Sequence, residues 1–158
     1  MNAKILTLAE LAQRAEELRA QGRKLVLTNG CFDLLHVGHV RYLQQAAELG
    51  DALAVAVNGD ESVRALKGPG RPLNGADDRA EVLAALECVD FVTIFPAMRA
   101  TEVIEAVRPG IYVKGGDYTL ESLDAEEVAA LKKAGAAIKT LPLVPGKSTT
   151  RLIERMHQ

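Results

Sequence analysis

The sequence predicts an α/β fold: a single-domain, Rossmann-like doubly wound parallel sheet of about five strands with helices on both faces. Three observations carry that expectation. Strand-like and helix-like segments alternate along the chain. Most strand segments are continuous apolar runs without period-two alternation, the pattern of strands covered on both faces. The unusual residues collect in segments that directly follow strands, where open parallel sheets bind their ligands.

Thr7–Gln21 has helical spacing, with Leu8, Leu11, Ala15 and Leu18 on one stripe. Thr7 and Glu10 stand at capping-box distance, and Gly22 suits a left-handed stop. Residues 1–22 thus read as an N-terminal helical segment and 23–158 as the core of the domain. Lys24–Thr28 is a short apolar strand, and His36–Leu49 returns to helical spacing until Gly50. Ala52–Val57 is a second buried strand. Asp77–Leu86 reads as helix and Asp90–Phe95 as strand; Thr101–Val107 is a short helix stopped by Pro109. Ile111–Lys114 is a strand, Leu123–Lys133 a helix ending at Gly135, Ala137–Leu143 a strand, and Thr149–Met156 a last helix. The longest irregular piece is Lys67–Gly75, rich in proline and glycine, and a loop of that length in a small domain is often functional.

At 158 residues the chain suits one domain. Aromatics make up 4% with no Trp, and 19 basic against 21 acidic residues leave a net charge of −2 without a basic face, which argues against nucleic acid as a partner. No apolar stretch approaches the ~20 residues of a membrane span. Met1–Glu10 lacks the pattern of a secretory signal. Cys31 and Cys88 are too few for a disulfide framework and too distant for a CxxC motif, so free thiols and a cytoplasmic location are expected.

The segments after the strands hold the chemistry. His36 and His39 lie three apart at the start of a helix, so both rings fall on one face of its first turn. Gly38 between them leaves room for phosphates near the backbone, and the helix N-terminus adds an anion site. Zinc needs more ligands than this pair and the distant His157 supply, and helix capping is the structural alternative. Lys67 opens the proline/glycine-rich loop, where a mobile cation can swing over a bound triphosphate. Arg79 sits early in a helix, against the dipole, which suggests an anionic partner or a pair with a nearby acid. Pro145–Thr150 is not a P-loop, because the first glycine of that motif would fall at Leu141. Ser148 instead caps the last helix, and Ser148, Thr149 and free N–H groups bind phosphate. Asp33 accepts from substrate hydroxyls or caps its own turn; Cys31 lacks a free base and is not expected to be a nucleophile.

The run from Gly30 to Asp33 followed by His36–Val37–Gly38–His39 resembles the HxGH signature of the cytidylyltransferase-like nucleotidyltransferases. Arg71–Asn74 with Arg79, Val113–Tyr118 and Ser148–Thr150 narrow the resemblance to the heptose-1-phosphate adenylyltransferases, across Lys24–Arg155. That resemblance implies transfer of AMP from ATP to D-glycero-β-D-manno-heptose 1-phosphate, giving ADP-heptose for lipopolysaccharide core assembly in a bacterium. By length the chain would be the stand-alone form rather than half of a kinase fusion. The resemblance places His36, His39, Lys67, Ser148 and Thr149 in catalysis. It places Asn29, Gly30, Cys31, Phe32, Gly38, Lys114, Gly116 and Thr150 on the nucleotide, and Asp33, Arg71, Arg79 and Asp117 on the sugar phosphate. Mg²⁺ would arrive with the ATP, with no protein ligand identified, and a homodimer or larger homo-oligomer is implied. The family usually carries an acidic residue and a Thr-Pro pair after the third strand, where this chain has Pro96–Thr101, a loop placed to influence sugar preference. A CTP-dependent enzyme acting on glycerol 3-phosphate and a nucleotide-sensing module are the rival readings.

Overall fold

The computed structural model describes residues 2–116, 121–142 and 145–158. In chain order the elements are α1 (Leu8–Ala20), β1 (Leu25–Gly30), α2 (Val37–Ala47), β2 (Ala52–Asn58), α3 (Asp60–Lys67), α4 (Ala76–Ala84), β3 (Phe91–Phe95), α5 (Thr101–Val107), β4 (Ile111–Gly115), α6 (Ala125–Ala134), β5 (Ala137–Leu141) and α7 (Thr149–Met156). The strands form one parallel sheet in the order β3-β2-β1-β4-β5. The chain builds outward from β1 in one direction through β2 and β3, then restarts on its other side with β4. The topological switch point therefore lies between β1 and β4, and the carboxyl ends of these strands flank a crevice there.

The apolar strand runs resolve into two interleaved sets. In β2, Ala52, Ala54 and Ala56 face one layer, with α1, α5 and α6 packed over them through Leu11, Val103, Ile104 and Leu131. Leu53, Val55 and Val57 face the other layer, against Leu43 and Ala46 of α2 and Leu83 of α4. A strand covered on both faces needs apolar residues at odd and even positions alike, which is why period two disappears. β5 departs from this expectation: as an edge strand it is largely exposed. It ends at Leu141 where Ala137–Leu143 was expected: Pro142 has no N–H for the ladder and stands outside the strand, and Leu143 falls outside the described residues.

Local chemistry sets the boundaries. Thr7 accepts from the Glu10 N–H while Glu10 accepts from the Thr7 N–H, closing the capping box of α1. Gly135 takes the left-handed conformation after α6. Most boundaries shift by a residue or two from the sequence reading, and two of the differences bear on the site. β1 continues through Asn29 and Gly30, delivering the chain two residues deeper towards the site. The segment between β2 and the proline/glycine-rich loop holds α3, so Lys67 closes a helix instead of merely opening a loop. No helix among the described residues is long and apolar enough to cross a membrane.

Candidate active site

A cavity of about 570 Å³ opens over the carboxyl ends of the strands, at the switch point. Its floor is the turn leaving β1. Phe32 there adopts φ 48°, a left-handed conformation that costs a non-glycine residue about 1–2 kcal/mol. The turn swings the phenyl ring back over Gly30, where a Cβ would meet ring carbon Cε2 at 3.0 Å, and places it 5.6 Å from the His39 ring. Gly30 and Phe32 thus shape the floor, and Asn29 and Cys31 also line it. The Asn29 carboxamide oxygen accepts from the Tyr112 hydroxyl, which turns its NH₂ group the other way. Burial pushes the Cys31 thiol above its ordinary pKa, against the pull of Lys67, Arg79 and Arg71, so the thiol is not an activated nucleophile.

The two histidines stand with ring centroids 4.0 Å apart. The Gly38 N–H donates to Nδ1 of His36 at 3.0 Å, and the His36 N–H donates to Nδ1 of His39 at 3.2 Å. A nitrogen that accepts from an amide carries no proton, so both neutral rings hold their hydrogen on Nε2. Burial lowers the His39 pKa to about 4, helped by His36; burial and Lys147 lower that of His36. Both rings are therefore neutral Nε2–H donors at pH 7, and His36 serves as the N-cap of α2 as well. Capping and ligand binding are compatible because they use opposite ring nitrogens. Gly38 is needed for a different reason from the one its sequence context suggests. A Cβ there would stand 2.7 Å from Cε1 of His36, so the glycine makes room for the capping imidazole.

α7 contributes the second helix N-terminus. Ser148 caps it by accepting from the Arg151 N–H, and Thr149 Oγ1 donates to the Leu34 carbonyl at 2.6 Å, fastening α7 to the β1–α2 turn. The Thr149 hydroxyl proton is thus committed, which leaves its N–H as the donor for an anion. Lys147, Ser148, Thr149 and Thr150 all line the cavity, facing His36 and His39. Lys67 and Lys114 border it from the other sides, with Lys114 Nζ 5.9 Å from the Tyr112 ring centroid.

Three expectations change. Arg79 is 2% exposed and does not line the cavity. Its Nε donates to Asn74 O, Nη1 to Cys31 O and Asn58 O, and Nη2 to Asp60 Oδ1 at 2.8 Å. It stands as a strut beneath the cavity, with four of its N–H groups bound to the protein. Asp33 lines the cavity but spends both oxygens on Arg71 Nε and the N–H groups of Leu73 and Asn74. Burial opposes its ionisation, yet these hydrogen bonds outweigh it and hold the carboxyl below the usual range. Asp33 therefore acts as the turn anchor, pinning the proline/glycine-rich loop with Arg71 beside it. Gly116 (φ 97°) adjoins the cavity without lining it, its N–H donating to Leu141 O, and Asp117 lies outside the described residues. Among the cavity residues that the sequence reading did not single out are Asn58, Met98, Glu127 and Lys147. Asn58 was legible as the polar end of an apolar strand; Glu127 carried no local signal.

Two helix N-termini and two neutral imidazoles converge on one crevice at the switch point of a parallel sheet, the arrangement of a nucleotidyltransferase that grips phosphates with neutral donors and a few cations. The chain belongs to the cytidylyltransferase-like family, whose model matches residues 27–155. It is similar to the bifunctional protein HldE of Geotalea uraniireducens, with 50% identity over 156 residues, 99% of this chain and 31% of that protein. The HldE protein of Geobacter sulfurreducens is 46% identical over 155 residues, 98% of this chain and 31% of that one. The chain thus spans about a third of the length of these relatives. Among solved structures, the lipopolysaccharide core biosynthesis protein from Thermoplasma volcanium GSS1 superposes with a TM-score of 0.63 at 27% identity, covering 78% of this chain and 98% of that one.

Proposed function

We propose that the chain transfers AMP from ATP to D-glycero-β-D-manno-heptose 1-phosphate, releasing pyrophosphate and forming ADP-heptose. The observation that carries the reading is the pair of Nε2–H donors facing the α7 N-terminus across the cavity. The similarity to HldE proteins and to a lipopolysaccharide core biosynthesis protein supports the choice of acceptor.

The acceptor phosphate is largely dianionic at neutral pH (second pKa ~6), so it attacks the α-phosphorus in line without a general base. The oxygen–phosphorus bond to the acceptor forms as the bond to pyrophosphate breaks, and the electron pair leaves on pyrophosphate. His36 and His39 donate from Nε2 to phosphate oxygens, while the N–H groups at the start of α7 and the ammonium groups of Lys67 and Lys147 take up the charge that develops. Mg²⁺ enters as part of the ATP substrate, held by triphosphate oxygens and water. Among the described residues no group of three or more His, Cys, Asp and Glu side chains is placed to hold a metal.

The test is pyrophosphate release with Mg²⁺, pairing ATP and CTP with heptose 1-phosphate and glycerol 3-phosphate. Release from ATP with the heptose is the expected result. Release only from CTP with glycerol 3-phosphate would transfer the assignment to the cytidylyl reaction, and ATP binding without release from any pair would favour a sensor.

A further inference from the structure

One carboxylate in the cavity is unaccounted for by phosphate chemistry. Glu127, in the first turn of α6, is 8% exposed. Its Oε2 accepts from the Ala100 N–H at 3.3 Å, and no cation among the described residues forms an ion pair with it. Among the described residues no hydrogen bond reaches Oε1, and Glu127 lines the cavity. A glutamate more than nine-tenths buried is rare without a cation beside it, and burying its charge without one is costly.

The surroundings locate what this oxygen meets. A carboxylate repels phosphates, so the anionic parts of both substrates belong at the opposite end, with His36, His39, Lys147 and the N-termini of α2 and α7. Glu127 meets the loop after β3 at Ala100, and Asn58 at the end of β2 reaches the same loop; Asn58, Met98 and Glu127 all line the cavity. The Pro96–Ala100 loop is clamped there from two sides. Asn58 Nδ2 reaches the carbonyls of Ala97 and Met98 at 3.4 Å, Glu127 holds the Ala100 N–H, and Arg99 pairs with Asp124, the N-cap of α6. A rigid wall with one free, buried acceptor suits an uncharged, hydroxyl-rich group.

Resting on the reading above, we propose that Glu127 determines acceptor specificity: its free Oε1 accepts a hydrogen bond from a hydroxyl of the phosphorylated polyol, positioned by the clamped Pro96–Ala100 wall. Gln in its place keeps the shape and the bond to Ala100 but removes the charge and turns an NH₂ donor towards the substrate. E127Q should lower kcat/KM for the acceptor by ~10- to 100-fold, the loss of one hydrogen bond to a charged group. The KM for ATP, and the affinity for α,β-methylene-ATP by calorimetry, should stay within about twofold.

Singly deoxygenated acceptors supply the second readout. Wild type should lose activity on the analogue lacking the contacted hydroxyl, and E127Q should process that analogue and the full acceptor at nearly equal rates. A folding defect would scale both rates alike, so the ratio decides even if E127Q melts lower. Unchanged acceptor kinetics in E127Q, or a parallel rise in the KM for ATP, would overturn the proposal. The acceptor used is whichever sugar or polyol phosphate the wild type turns over. Failure of the heptose assignment, read on the wild type, therefore stays separate from failure of Glu127, read on the variant.

Discussion

At the scale of single residues, the histidine pair links catalysis to acid stability through one detail, the amide hydrogen bonds on the two Nδ1 atoms. Protonating either Nδ1 would turn an acceptor into a donor facing an N–H and break the cap of α2. Burial, with His36 beside it, lowers the His39 pKa to about 4 from an ordinary 6.5. Between those values the unfolded chain takes up a proton that the folded chain refuses. Stability from this source is therefore complete above about pH 6.5 and lost as pH falls towards 4. His39→Asn separates the two roles, because the Asn oxygen still accepts from the His36 N–H while the Nε2–H donor is gone. The variant should fold at pH 7 and turn over at least ~10²-fold more slowly. Its unfolding free energy, from urea titrations at pH 7, 5.5 and 4, should decline less with acid than that of wild type. Near-normal turnover would remove His39 from the mechanism, and matching pH slopes would remove it from the acid response.

At the scale of elements, the first turn of α2 depends on the absence of a side chain at residue 38. In Gly38→Ala the new methyl would stand 2.7 Å from the His36 ring, with Lys147 Cβ 3.5 Å away in the segment before α7. The ring must leave its capping position, and the overpacking should cost about 1–3 kcal/mol. Thermal melting and pyrophosphate release should fall together; a variant with both intact would show that the His36 cap is dispensable. Most elements of this kind were legible because their ends carry local chemistry: the Thr7–Glu10 box, Pro109 after α5, Gly135 after α6, Ser148 before α7. α3 was not, because it spans eight residues, buries only Ser62 and Val63, and sits between Gly59 and the glycine- and proline-rich loop. The same contrast divides the site. The His36/His39 spacing is a local signal. The partners of Asp33 and Arg79 include groups 38 to 48 residues away, and Glu127 reads locally as one more acid in the first turn of a helix. Contacts made by the fold decide such residues, and composition near them is silent.

At the scale of the whole molecule, the cavity rests on a guanidinium that does not line it. Arg79 ties together the chain after β1, the end of β2, the start of α3 and the loop before α4. Four of its five donors are used in a planar fork, and a lysine can supply neither that geometry nor that number. Arg79→Lys leaves buried carbonyls unpaired and should destabilise the fold by about 3 kcal/mol. For a domain of this size that is a drop of roughly 6–12 °C in melting temperature. Arg64, whose ion pair with Glu61 is exposed, is the control: Arg64→Lys should stay within about 0.5 kcal/mol of wild type. Differential scanning calorimetry of the two variants, with and without ATP, reads the difference. If Arg79→Lys melts like Arg64→Lys but binds substrate poorly, the guanidinium serves the ligand as its place in the sequence suggested. If it melts far lower and ATP restores only part of the loss, the charge belongs to the frame that holds β1, β2, α3 and α4 in register around the cavity.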